Sequence, residues 1–268
     1  MARHNNRHYA IGVFDSGLGG LTVVKELVRL LPHEDIVYFG DTARVPYGTK
    51  SKESIIRFSK ENVGLLLKHK VKMIVLACNT SSSLALDVLK RTYGIPLIGV
   101  INPGAQKAVL VTKNKRIGVV ATSATIYSQA YPKRIRELDR SIKVIAQACP
   151  LFVPLAEEGW FNKKVTEDIA RTYLKNMIKN RIDALILGCT HYPLLKPVLR
   201  KVMGKKVFLV DSAEVVANEV KKRLVREDKL NPTHKKGYYK FLVSDRPQHF
   251  QELAKRFLGF DIKNVLRV

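Results

Sequence analysis

Two stretches of this chain repeat one pattern: an apolar run, a small residue, a cysteine, then a residue bearing an amide or hydroxyl. Lys72-Met73-Ile74-Val75-Leu76-Ala77-Cys78-Asn79-Thr80 resembles Ile182-Asp183-Ala184-Leu185-Ile186-Leu187-Gly188-Cys189-Thr190. A second pair keeps the same order: Ala10-Ile11-Gly12-Val13-Phe14-Asp15-Ser16 resembles Arg116-Ile117-Gly118-Val119-Val120-Ala121-Thr122. Cys189 lies 111 positions beyond Cys78, and Ile117 lies 106 beyond Ile11. Either match alone is weak, because short apolar strands resemble one another. Two in order at nearly one spacing point to an internal duplication, which limits the fold to two similar halves.

The pattern between these repeats sets the class. Short apolar runs at 10–14, 35–40, 71–77 and 96–100 alternate with helical stretches at 21–31, 52–70 and 82–92. In 52–70, Ile55, Ile56, Val63, Leu66 and Leu67 form a stripe of helical period. The alternation restarts with strands at 116–121, 142–147, 184–187 and 207–210, and helices at 126–138, 165–179 and 194–203, the last despite Pro197. Strands alternating with helices predict βαβ units and mostly parallel sheets covered on both faces. The expected fold is therefore α/β: two similar doubly wound domains related by pseudo-two-fold symmetry, with the active site in the cleft between them. Residues 1–100 are expected to form the first unit and 101–212 the second. A length of 268 residues suits two domains of this size.

Composition excludes several classes. Apolar residues make up 46% of the chain, enough for packed cores, yet no apolar run approaches bilayer length. The opening Met1–Ala10 segment is polar and lacks the apolar core of a secretion signal. A cytoplasmic protein with no membrane partner is expected. The 47 Lys and Arg against 23 Asp and Glu, a formal charge of +24, invite a nucleic-acid reading. The basic residues are scattered, however, and no stretch interleaves them with aromatics as a stacking platform requires. A solvated basic surface that draws in an anionic substrate is the expectation, and nucleic acid is not the expected partner.

Three cysteines give no disulfide framework. Ligands of open α/β sheets bind beyond the carboxyl ends of the strands, where Cys78 and Cys189 both fall, each expected to open a helix. A helix N-terminus favours an anion and so is expected to lower a thiol's pKa. If the halves face each other, the two thiols approach a ligand from opposite sides. One can remove a proton from one face while the other delivers a proton to the opposite face, which inverts a stereocentre. The competing reading of either cysteine is a small buried hydrophobe, and that is the reading of Cys149, which has no duplicate. Cys189-Thr190-His191 lacks the paired spacing of a metal site, so no metal is expected.

Four segments carry a family resemblance: Asp15-Ser16-Gly17-Leu18-Gly19-Gly20, Pro46-Tyr47-Gly48, Cys78-Asn79-Thr80 and Cys189-Thr190-His191. In order and at these spacings they resemble the signature segments of the glutamate racemases. The likeness runs almost end to end, including Phe39-Gly40-Asp41 and the stretch from Pro150 to Gly159, and it implies that residues 213–268 return to complete the first domain with 1–100. The resemblance implies racemisation of L- and D-glutamate without a cofactor, supplying D-glutamate for peptidoglycan. It implies that Cys78 and Cys189 are the acid/bases, with Asp15 and His191 assisting proton transfer or holding the ammonium group. Asp41 and one of Glu157 or Glu158 also match site positions, Glu157 being the expected one. Asp15, Ser16, Pro46, Tyr47, Gly48, Asn79, Thr80, Thr122, Thr125 and Thr190 match substrate-holding positions.

A homodimer is the expected assembly. Some members carry an N-terminal extension linked to activation by a peptidoglycan precursor; with about nine residues before the first strand, that control is not expected here. Aspartate or hydantoin racemase of the same superfamily is the nearest alternative. The basic surface leaves open a secondary role in binding nucleic acid or DNA gyrase.

Overall fold

A computed structural model describes residues 6–268. Residues 1–5, part of the segment read as lacking a secretion signal, lie outside the described residues. The chain begins β1 (Ala10–Asp15), α1 (Leu21–Leu30), β2 (Ile36–Gly40), α2 (Lys52–Leu67), β3 (Val71–Leu76), α3 (Asn79–Leu84), α4 (Leu86–Thr92) and β4 (Leu97–Gly99). It continues α5 (Ile101–Val111), β5 (Arg116–Ala121), α6 (Ser123–Tyr127), α7 (Ala130–Leu138), β6 (Lys143–Ala148) and α8 (Phe152–Glu157). There follow α9 (Lys164–Lys179), β7 (Ala184–Gly188), α10 (Lys196–Met203) and β8 (Phe208–Asp211). The last elements are α11 (Ser212–Arg226), β9 (Tyr239–Val243), α12 (Pro247–Leu258) and the short β10 (Leu266–Arg267).

The strands form two parallel sheets. One has the order β10-β9-β2-β1-β3-β4, the other β6-β5-β7-β8. Without its two added edge strands, the first sheet has the same winding as the second: β1 answers to β5, β2 to β6, β3 to β7 and β4 to β8. Register carries the correspondence to single residues. Phe14 lies opposite Leu76 in one sheet, and Val120 opposite Leu187 in the other, so each cysteine stands two residues past the matched position. Gly12 and Gly118 are also equivalent, and a Cβ at either would press on the apolar side chains behind its sheet.

Burial explains why the central strands are almost wholly apolar, Asp15 and Lys72 being the exceptions: β1, β3 and β7 are buried along their whole length. Alternate residues serve different layers, as strand geometry requires. Ile11, Val13, Ile117 and Val119 point into one continuous cluster that also holds Leu27 of α1, Ala105 of α5 and Val216 of α11. Phe14 and Val120 point the opposite way, into separate outer clusters. The helices between the sheets thus form a layer that both share.

Several expected helices differ in their limits. The stretch 82–92 is two helices, α3 and α4, meeting at Ala85. The stretch 126–138 breaks at Gln129, whose φ of 55° is left-handed, so α6 and α7 diverge. Helix 194–203 begins as a tight 3-10 turn at Tyr192–Leu195; Pro197 falls in the first turn of α10, where its missing N–H costs nothing. Among the described residues no helix is long and apolar enough to cross a membrane.

Candidate active site

The carboxyl ends of β1, β3, β5 and β7 converge on a cavity of about 280 Å³. Ser16 and Gly17 reach it from β1, Cys78, Asn79 and Thr80 from β3, Thr122 from β5, and Cys189, Thr190 and His191 from β7. By the strand correspondence Ser16 is the counterpart of Thr122, as Cys78 is of Cys189. The walls are closed by Val45, Pro46 and Gly48 from the β2–α2 loop and by Val153, Pro154 and Glu157 of α8. Spacing alone did not mark Gly17, Val45, Val153 and Pro154, because an apolar or glycine wall carries no chemical signature.

The two thiols have different neighbours. Burial pushes the Cys78 thiol up to about 12, and the negative charge of Asp15 adds to the rise, against hydrogen bonding from Ser81. The expectation that a helix N-terminus would lower this pKa is therefore overturned for Cys78: removal from water and a nearby carboxylate outweigh one short helix. Cys78 caps α3, whereas Cys189 does not open an α-helix and is followed by the 3-10 turn. Its Sγ lies 3.8 Å from Nδ1 of His191.

His191 Nε2 meets Glu157 Oε1 at 2.9 Å and Glu157 lines the cavity, whereas the neighbouring Glu158 is exposed and does not line it. Burial alone would depress the His191 pKa, but its bonds to Cys189 and Glu157 raise it to about 10. Burial opposes ionisation of Glu157, yet the hydrogen bond and charge of His191 hold its pKa below the ordinary value. The C-terminal helix α12 braces this pair. Phe257 stands edge-on to the His191 ring at 5.4 Å, and Arg256 Nη1 donates to the Glu157 carbonyl at 2.5 Å. Nothing in the sequence spacing pointed to either residue, since Phe257 reaches His191 from 66 positions away and Arg256 reaches Glu157 from 99.

Other expected site residues stand behind the cavity wall. Asp15 is fully buried; its carboxylate accepts from the Gly17 N–H at 3.0 Å and the Thr190 hydroxyl at 3.3 Å. Burial raises its pKa against the opposing charge of His191. Thr125 is buried and bonds to the hydroxyls of Thr80 and Thr122, which themselves line the cavity. The Tyr47 side chain turns away from the cavity to hydrogen-bond with Asp41 and Asn62. Asp41 also accepts from Arg44 at 2.7 Å and Ser244 at 3.0 Å. Asp41 and Tyr47 thus hold the loop that presents Pro46 and Gly48.

The halves touch closely at this site. A Cβ on Gly48 would sit 2.7 Å from Thr122 Cβ, and one on Gly19 would sit 2.2 Å from Thr190 Oγ1 and 2.5 Å from His191 Nδ1. Cys149, the third free cysteine, is wholly buried with Sγ 3.7 Å from the Gln147 carbonyl. Among the described residues no three His, Cys, Asp or Glu side chains gather as a metal site would need.

Two equivalent strand ends each bring one thiol to the same small cavity, an arrangement suited to proton transfer to and from a small ligand. The Asp/Glu/Hydantoin racemase family pattern matches residues 11–220, and the chain belongs to that family. The glutamate racemase of Geobacter metallireducens is 50% identical over 259 residues, 97% of this chain and 96% of its own length. The crystal structure of a glutamate racemase isoform from Bacillus anthracis aligns with TM-score 0.94 and 40% identity, covering 98% of each chain. The Francisella tularensis glutamate racemase, solved in complex with D-glutamate, aligns with TM-score 0.91 and 39% identity over 98% of each chain.

Proposed function

We propose that this chain interconverts L- and D-glutamate without an added cofactor, with Cys78 and Cys189 acting in turn as base and acid on opposite faces of Cα. The observation that carries the reading is the placement of both thiols at equivalent strand ends on one cavity. In one direction a thiolate takes the α-proton and becomes a thiol. The opposite thiol gives its proton to the other face of the same carbon and becomes a thiolate. Protonated His191 can restore a proton to Cys189, with Glu157 balancing its charge.

The hydroxyls of Ser16, Thr80, Thr122 and Thr190 and the Asn79 amide are the groups suited to the substrate carboxylates. Neutral donors hold an anion without forming a fixed ion pair that would slow release. The buried carboxylate of Asp15 contributes negative charge near Cys78, favouring a cationic ammonium on that side. Enclosure strengthens these contacts as the carbanion-like state develops. The two halves, residues 1–100 with 213–268 and residues 101–212, are the domains whose contact forms the cleft. The same reading gives a cytoplasmic homodimer supplying D-glutamate for peptidoglycan, its assembly testable by sedimentation equilibrium.

Conversion of L-glutamate in D2O tests the two faces. Early D-glutamate should carry deuterium at Cα while the remaining L-glutamate stays mostly protiated, as read by proton NMR. Mostly protiated D-glutamate would mean one base moves one proton across. Aspartate, one methylene shorter, should turn over at least about tenfold more slowly.

A further inference from the structure

We propose that Tyr131 is a positioning residue for substrate binding: its hydroxyl fixes the Asn79 amide so that the N–H groups, not the carbonyl, are offered to a substrate carboxylate. This rests on the glutamate reading above, and it assigns a role to a residue on α7 that does not line the cavity.

Three observations carry it. Tyr131 Oη donates to Asn79 Oδ1 at 2.7 Å. The other end of the same amide, Nδ2, is buried and has no hydrogen-bond partner among the described residues, although Asn79 lines the cavity. A buried amide left with two unused donors is costly unless a ligand uses them, so an orphaned donor at a cavity wall marks where an acceptor belongs. Third, room has been made for the tyrosine. The ring is buried, and a Cβ on Gly104 or Gly188 would press on it at 3.2 Å and 3.1 Å respectively. Gly188 immediately precedes Cys189, so the same short residue lets β7 pass the ring and deliver its thiol.

The chemistry favours one orientation. An amide alone can present either end to the cavity, and its carbonyl would repel a carboxylate. A phenol that donates to Oδ1 removes that freedom. Burial, with the charge of Cys189 as a smaller cause, raises the Tyr131 pKa, so the hydroxyl keeps its proton across the working range. Tyr131 stands on the second half and Asn79 on the first, so the orientation is set only when the two halves are together.

Tyr131→Phe removes the hydroxyl and keeps the ring. It should raise KM for L-glutamate about tenfold, the worth of one well-placed hydrogen bond, while kcat changes less than about threefold. In an Asn79→Ala background the same change should leave KM unaltered, because the group Tyr131 acts through is gone. An unchanged KM in the single variant, or an equal rise in both backgrounds, would overturn the assignment. Should Tyr131→Phe fail to fold, Asn79→Asp decides: it keeps an acceptor for Tyr131 but replaces the donors with negative charge. That variant should raise KM about a hundredfold, and an unchanged KM would count against the proposal. Turnover of L-glutamate by the unaltered protein is measured first. Its absence defeats the glutamate reading and this one together, whereas its presence with an unaffected Tyr131→Phe defeats this one alone.

Discussion

His191 and Glu157 are joined ring to carboxylate at 2.9 Å, and the opposite ring nitrogen faces the Cys189 sulfur at 3.8 Å. One imidazole therefore stands between a carboxylate and a thiol. Its pKa is raised from 6.5 to about 10, so folding takes up a proton there. The resulting stability is fully present below about pH 6.5 and is lost as pH climbs through about 10. Glu157→Gln should lower the His191 pKa and bring that alkaline loss to lower pH. Titration of the His191 ring protons by NMR checks this; the same midpoint in the variant would show that Glu157 does not hold the charge.

Asp15 acts on the other thiol. Because burial first and the Asp15 charge second raise Cys78, Asp15→Asn should move Cys78 toward easier ionisation. Alkylation of Cys78 by iodoacetamide, followed by mass spectrometry across a pH series, should show its midpoint at lower pH than in the parent. A midpoint that stays put or rises would remove Asp15 from the account of this thiol.

The three cysteines should separate cleanly. Cys78→Ser and Cys189→Ser should each reduce racemisation at least about a thousandfold, since a serine hydroxyl is a far weaker acid than a thiol. Cys149→Ser, in the core, should stay within about threefold. Polarimetry of L-glutamate solutions gives the rates, and full turnover by either of the first two variants would contradict the two-thiol assignment.

Far from the cavity, Lys72 in β3 pairs with Glu34 at 2.5 Å, both side chains almost wholly buried. Its ammonium also donates to the carbonyls of Arg7 at 2.7 Å and Lys229 at 2.8 Å, tying distant segments to the strand. Lys72→Met leaves Glu34 as an uncompensated buried charge and should cost about 3 kcal/mol. Adding Glu34→Gln should recover part of that. Urea unfolding measures both; a single variant as stable as the parent would show that the pair carries no net weight.

The duplicated strands were legible because their cysteines and glycines recur at nearly the same offset, 111 and 106 positions, and from them the two-halved α/β fold and the paired thiols followed. Side-chain direction was not legible. Tyr47 belongs to a signature segment, yet its ring turns toward Asp41, and only the loop backbone and its neighbours Pro46 and Gly48 remain at the wall. Helix breaks at Ala85 and Gln129 were hidden because neither is a glycine or proline. Tyr131, Arg256 and Phe257 act through contacts between segments remote in sequence, which no periodicity records.

The repeated winding order places two thiols alike, but the chain surrounds them unlike: Asp15 beside Cys78, and His191 with Glu157 beside Cys189. Mirror-image amino acids have equal free energy in water, so a racemase must hold kcat/KM equal for both directions at any pH and in every variant that still turns over. Unequal surroundings can then show only as a shared rise or fall of kcat and KM for one enantiomer relative to the other. An uneven site on an even scaffold is thereby free to differ in how long it retains each hand of its ligand, and never in which hand it finally accumulates.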